Sequence, residues 1–129
     1  MSCTVAENSR KSLGDWGESQ AAAFLLKKGY SIKKKNYRKG RGELDIIAET
    51  GDTLVFVEVK TASSDTMGPP QSWVTPQKQQ QIGRVAQEYL YEIDADDIEC
   101  RFDVIGVKKV GSTAKIIHIE NAFWLKANL

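Results

Sequence analysis

Two carboxylates and a lysine, Asp45, Glu58 and Lys60, stand where two β-rich runs would bring them together. The runs Leu44 to Ala48 and Leu54 to Val59 flank Thr50-Gly51-Asp52-Thr53, and Gly-Asp is a dipeptide that closes two-residue hairpin loops. With Gly51 and Asp52 as the loop, Thr50 pairs with Thr53. Counting outward puts Ile47 opposite Phe56, Asp45 opposite Glu58 and Glu43 opposite Lys60. Directly opposed like charges cost a sheet roughly 0.2–1 kcal/mol, and more where water is scarce, so a positive group is expected between Asp45 and Glu58. Carboxylate oxygens are the ligands that Mg²⁺ and Mn²⁺ prefer. The alternative is a solvated polar face on which Lys60 neutralises Glu58, and spacing alone leaves both readings open.

Leu54, Phe56, Glu58 and Lys60 share one face of their strand, and Val55, Val57 and Val59 form the other, which reads as core. Upstream, a helix is predicted from Ser12, its N-cap, to Lys28, with Leu13, Trp16, Gly17, Ala21, Phe24 and Leu25 on one face and Gly29 ending it. Glu18 lies at the margin of that face. Residues 1–11 are polar and aperiodic and read as a flexible tail, leaving 12–129 as one domain. Tyr30 to Tyr37 reads as a half-exposed first strand. The glycine-punctuated loop Arg38-Lys39-Gly40-Arg41-Gly42 follows it, where fork-like arginine donors suit a phosphodiester and a plain charged turn is the other reading.

Beyond Lys60, the aperiodic stretch Thr61 to Trp73, with Ser63-Ser64-Asp65 and Gly68-Pro69-Pro70, is predicted to be a mobile loop over the site. A second helix starts at the N-cap Thr75 with Pro76 at its first position, and Ile82, Val85, Ala86, Tyr89 and Leu90 follow at helical spacing. Its positive end carries Gln77 and Lys78, which suits a phosphate, though glutamines also simply make an exposed helix start. After the acidic connection Ile93 to Glu99 come strands over Arg101 to Val107 and Lys115 to Glu120, with a turn near Gly111-Ser112. The helix between strands three and four makes a right-handed crossover that leaves those strands parallel. The fold class is α/β, a mixed sheet flanked by helices in the order α-β-β-β-α-β-β. Asp103 reads as structural, His118 as a surface or edge residue, and Asn121 to Leu125 as packing at the end of the last strand.

A chain of 129 residues with 41% hydrophobic and 27% charged residues is one ordinary globular domain. No apolar run is long enough to span a membrane. One histidine and two distant cysteines, Cys3 and Cys100, argue against a structural zinc site and fit a reducing cytoplasm. The net charge of +1 hides an asymmetry: no acid lies between Ser19 and Gly42, while Glu88 to Glu99 is acidic. That segregation points to a phosphate-facing side.

Asp45 followed by Glu58-Val59-Lys60 resembles the signature of the PD-(D/E)XK nuclease superfamily, whose fold is that of restriction endonucleases and Holliday-junction resolvases. Gly17-Glu18, Gly29-Tyr30, Gly42 to Ala48, Leu54 to Lys60, Arg101 to Val104 and Asn121-Ala122-Phe123 together resemble the bacterial YraN (UPF0102) family, from about Leu13 to Phe123. Leu44 stands where the superfamily name has proline, which changes no ligand. The resemblance implies a restriction-endonuclease-like sheet and a metal-dependent nuclease. Asp45 and Glu58, with Glu18 and the Val59 carbonyl, would hold Mg²⁺ or Mn²⁺, and Lys60 would position the water. Arg38, Lys39, Arg41 and Lys78 would face nucleic acid. Glu43 and Gln77 are secondary candidates, Glu43 either joining the site or pairing with Lys60 or a loop arginine. Branched DNA is the implied substrate, read by a homodimer, and RNA is the competing phosphodiester. A nucleic-acid-binding module that keeps the fold without cleaving is the alternative.

Overall fold

The computed structural model describes residues 2–63, 67–95 and 97–123. Its elements are α1 (Ser2–Lys27), β1 (Ser31–Lys39), β2 (Gly42–Thr50), β3 (Thr53–Ala62), a 3-10 turn (Pro70–Ser72), α2 (Pro76–Glu92), β4 (Glu99–Val110) and β5 (Thr113–Ile119). This is the α-β-β-β-α-β-β order expected from periodicity. Ser64, Asp65, Asp96, Trp124 and Leu125, named above in the loop, the acidic connection and the last strand's end, lie outside the described residues.

One sheet carries the strands in the order β1-β2-β3-β4-β5. Neighbours are antiparallel except β3 and β4, which are parallel over Thr53↔Glu99 to Ala62↔Lys108. Antiparallel neighbours need only a tight turn, while a parallel pair needs a crossover, and α2 supplies it. Gly51 takes the left-handed backbone (φ 58) that the Thr50-Thr53 turn requires.

Helix α1 covers one face of the sheet and α2 the other. Val55 and Val57 pack with Ala21, Ala22 and Leu25 of α1, while Leu54 and Phe56 pack with Ile82, Val85, Ala86 and Tyr89 of α2. Both faces of β3 are therefore core, each large apolar side chain contributing about 1.5–3 kcal/mol by burial. At the end of α1, Gly29 adopts φ +99 and the Tyr30 amide reaches back to the Leu25 carbonyl at 2.9 Å, the 6→1 bond of a glycine-terminated helix. At the start of α2, Thr75 Oγ1 accepts from the Lys78 amide at 3.2 Å.

Helix α1 starts at Ser2, ahead of the expected Ser12, so helical backbone continues through the stretch read as a tail. No proline or glycine separates Ser2 from Leu13, and extending an existing helix adds one hydrogen bond per residue. Among the described residues no helix is long and apolar enough to cross a membrane.

Asp103 is structural, as its strand context suggests. It is 1% exposed and accepts from Arg101 Nε at 2.9 Å, from Arg101 Nη2 at 3.0 Å and from the Asn121 amide at 2.9 Å. His118 Nε2 lies 2.8 Å from its Oδ2. Burial alone would raise the Asp103 pKa, but the bonds from His118, Arg101 and Asn121 outweigh it and hold the carboxyl below its ordinary value. His118 lies on the edge strand β5, as expected, but not at the surface: its side chain is 3% exposed, turned inward onto Asp103 and the Phe24 and Tyr30 rings.

Candidate metal centre

The β2-β3 ladder runs outward from Thr50↔Thr53, includes Ile47↔Phe56 as the register predicts, and ends at Ile46↔Val57. Past that rung the strands part. Strand β2 stays paired with β1 as far as Gly42, and β3 stays paired with β4 as far as Ala62. The expected rungs Asp45 opposite Glu58 and Glu43 opposite Lys60 are therefore replaced by a fork. Leu44 and Ile46, two apart in the strand, pack in opposite core clusters, so the regular alternation of β2 breaks at Asp45. The Val59 amide, left without a strand partner on this side, donates to Asp45 Oδ2 at 2.8 Å. A strand residue's N–H and C=O point to the same side, so the Val59 carbonyl also faces the fork.

Inside the fork Asp45 and Glu58 lie close enough to share a proton. Desolvation raises both pKa values, that of Asp45 to about 6 and that of Glu58 to about 8, and for Glu58 the nearby Asp45 charge adds to the rise. The bond from the Val59 amide opposes the rise at Asp45. Glu58 is 16% exposed at its side chain. Among the described residues its Oε1 is the one buried side-chain oxygen with no hydrogen-bond partner.

The positive group facing Glu58 is not Lys60. Lys60 is exposed and has no ion-pair partner among the described residues, whereas Lys78 Nζ, from the first turn of α2, lies 3.8 Å from Glu58 Oε2. Both lysines line a cleft with Glu18, Glu58, Val59 and Trp73. The end of the loop expected to overhang the site packs here through Met67 and Trp73. Trp73 Nε1 donates to the Met67 carbonyl at 2.9 Å, and the Trp73 ring lies over Gly106 of β4.

Two glycines set how closely the helices meet the sheet at this site. A Cβ on Gly17 would strike Thr61, and one on Gly42 would strike Val85. The first contact brings α1, and with it Glu18, down onto β3. The second seats α2 against the start of β2. Glu18 is then drawn sideways, because Asn36 Nδ2 donates to Glu18 Oε1 at 2.7 Å and to Glu43 Oε1 at 3.1 Å. Asn36 holds φ 52 in β1, a backbone state that asparagine tolerates better than most residues. Its partners are 18 and 7 residues away, so no local pattern could have found it.

Among the described residues no three histidine, cysteine, aspartate or glutamate side chains are gathered as a finished cation cage. Asp45 and Glu58 meet, with the Val59 carbonyl between their strands, and Glu18 is held nearby by Asn36. An all-oxygen set with an unpaired buried carboxylate oxygen fits a hard divalent cation.

The basic residues divide. Arg38 and Lys39 belong to β1 and not to the loop expected there; Arg38 Nε pairs with its cross-strand neighbour Glu43 at 3.1 Å, so Glu43 does not take Lys60, and Lys39 Nζ pairs with Glu92 at 3.4 Å. The Arg41 carbonyl accepts from Gln81 Nε2 at 3.1 Å, and among the described residues the Arg41 side chain has no carboxylate partner. It borders a groove with Arg84, and Arg84 continues into a second groove with Gln77, Lys78 and Gln81. Sequence reasoning missed Arg84, although its position seven residues after Gln77 on α2 places it on the same helical stripe.

A family model described as uncharacterised protein family UPF0102 matches residues 17–107, from Gly17 at the α1 contact to Val107 of β4. A UPF0102 protein of Alkaliphilus oremlandii is 50% identical over 115 residues, covering 88% of this chain and 98% of that protein. One from Geobacter metallireducens is 47% identical over 115 residues, covering 89% and 94%. One from Nitratidesulfovibrio vulgaris is 43% identical over 122 residues, covering 95% and 91%.

Proposed function

The chain belongs to the uncharacterised protein family UPF0102, and from that footing we propose that it is a metal-dependent nuclease-like protein that hydrolyses phosphodiester bonds in branched or otherwise structured DNA. The observation that carries this reading is the fork itself: Asp45 and Glu58 meet in a half-buried site, and Glu58 Oε1, itself buried, has no hydrogen-bond partner. Leaving a buried carboxylate oxygen unsatisfied costs about 1–3 kcal/mol, a cost that a bound cation removes.

Asp45, Glu58 and the Val59 carbonyl would hold Mg²⁺ or Mn²⁺, with Glu18 joining once released from Asn36. The ion supplies a Lewis acid that lowers the pKa of its bound water and neutralises phosphate charge. The protein's own groups do the rest. The Val59 amide fixes the Asp45 carboxylate. Lys60, exposed at the cleft, donates to a phosphate oxygen and stabilises the charge that grows there. Arg41 and Arg84 bind flanking phosphates through their forked donors. The preference for branched DNA and a homodimer rests on the resemblance to junction resolvases, and the cytoplasm is where such a protein would meet its substrate.

The test is incubation of the purified protein with Mg²⁺ or Mn²⁺ and a panel of linear, flapped, four-way and single-stranded DNA, with RNA of the same sequences. Cleavage that Asp45→Asn and Glu58→Gln each reduce at least a hundredfold supports the reading. Tight binding with no cleavage under either metal would leave a nucleic-acid-binding module on a nuclease fold.

A further inference from the structure

We infer that Lys78 is the displaceable counter-ion of the Asp45–Glu58 pair: its ammonium stands on the cation side of the pair and would yield that position to a divalent ion. The inference rests on the metal reading of the fork and assigns that site a positioning residue outside the β2-β3 hairpin.

Three observations carry it. The Lys78 ammonium stands 3.8 Å from Glu58 Oε2, close enough for attraction but longer than a direct hydrogen bond. Lys60, two residues from Glu58 on the same strand, is exposed and makes no such pair, so the role falls to a side chain 20 positions away. Lys78 is also held by its backbone and not by its charge, since its amide donates to the Thr75 cap at 3.2 Å. Its side chain can therefore swing without disturbing α2.

A divalent ion held by Asp45 and Glu58 would carry twice the charge of an ammonium. Such a charge would outcompete Lys78 for Glu58, and Lys78 would be free to turn away. The released Lys78 stays in a cleft that it shares with Lys60, where a phosphate oxygen of the substrate is its natural partner. The same lysine then guards the carboxylate when no metal is bound and binds the substrate when metal is bound.

Titration calorimetry with Mn²⁺, without nucleic acid, tests this on the wild type, Lys78→Met, Lys78→Arg and Lys60→Met. Removing a competing unit charge at this separation is expected to tighten Mn²⁺ binding about tenfold in Lys78→Met. Lys78→Arg is expected to stay within about threefold of the wild type, and so is Lys60→Met. Equal affinity in Lys78→Met and the wild type overturns the inference and leaves the metal site standing. Equal tightening in Lys78→Met and Lys60→Met also overturns it, because both lysines would then act only through their general field. No Mn²⁺ binding by any of the four proteins overturns this inference and the metal reading together.

Discussion

The Val59 amide donates to Asp45 Oδ2 at 2.8 Å at the point where β2 and β3 separate. One carboxylate therefore ends the ladder and also faces Glu58 across the fork. The two roles respond differently to substitution.

Asp45→Asn keeps an acceptor for the Val59 amide while removing a charge from the pair, whereas Asp45→Ala leaves that amide unpaired. The asparagine variant is expected to be the more stable of the two by about 1–3 kcal/mol in urea unfolding at pH 8. Equal stabilities would mean that the Val59 bond contributes nothing.

Glu58 sets a pH dependence. An acid whose pKa is raised in the native state binds its proton more tightly there than when unfolded. Stability is then full below the ordinary glutamate value and falls as pH rises through about 8. Glu58→Gln carries no such loss. The gap between it and the wild type should be near zero at pH 4 and grow to a few kcal/mol, on the order of 2–4, at pH 8.5. Denaturant midpoints across that range measure it, and a constant gap would show that Glu58 has the same pKa in the native and unfolded protein.

Metal binding should release protons. At pH 7, between about 6 for Asp45 and about 8 for Glu58, the pair carries roughly one proton that a divalent ion must displace. Calorimetry in buffers of different ionisation enthalpy is expected to report release of about one proton per Mg²⁺ at pH 7 and less than half of one at pH 8.5.

Asp103 is predicted to matter for stability alone. Its loss takes from Arg101 both of its bonds to the Asp103 carboxylate and from His118 the partner of its Nε2, and breaking a buried charge network from one side costs about 3–5 kcal/mol. Asp103→Ala should therefore lower the melting temperature by some 10 °C or more. Below that transition its Mn²⁺ affinity should equal that of the wild type.

Gly42→Ala drives a Cβ into Val85, an overpacking cost of about 1–3 kcal/mol. Val85→Ala alone opens a cavity in the α2 layer. Because each change makes room for the other, the double variant should be more stable than the sum of the single effects by at least 1 kcal/mol.

Much of this was readable because it is local. The Thr50-Thr53 turn, the two-sided packing of β3, the Thr75 cap and the Gly29 stop each depend on residues a few positions apart. The hairpin's register was readable as far as Ile46 opposite Val57, and it brought Asp45 and Glu58 to the same end of the hairpin though not onto the expected rung. What was hidden depends on long-range contact. The ladder stops at Ile46 because Leu44 commits to the α2 layer, a choice made by residues some forty positions downstream. Asn36 reaches Glu18 across two elements, and Lys78 reaches Glu58 across a crossover. His118 sits in an alternating run that reads as an edge strand, and only the folded position of Asp103 shows why it points inward.

The unequal pairing of β3 gives its backbone two kinds of amide. Those of Glu58 and Lys60 point toward β4, where the parallel rungs continue to Ala62, while that of Val59 points into the fork. The amides of Glu58 and Lys60, held by the ladder, should therefore exchange with deuterium more slowly than that of Val59, held by one side-chain carboxylate. The reacting side chains would ride on a backbone clamped from behind and open in front. Its chemistry is held still while the front edge remains free to admit an ion or a strand of nucleic acid.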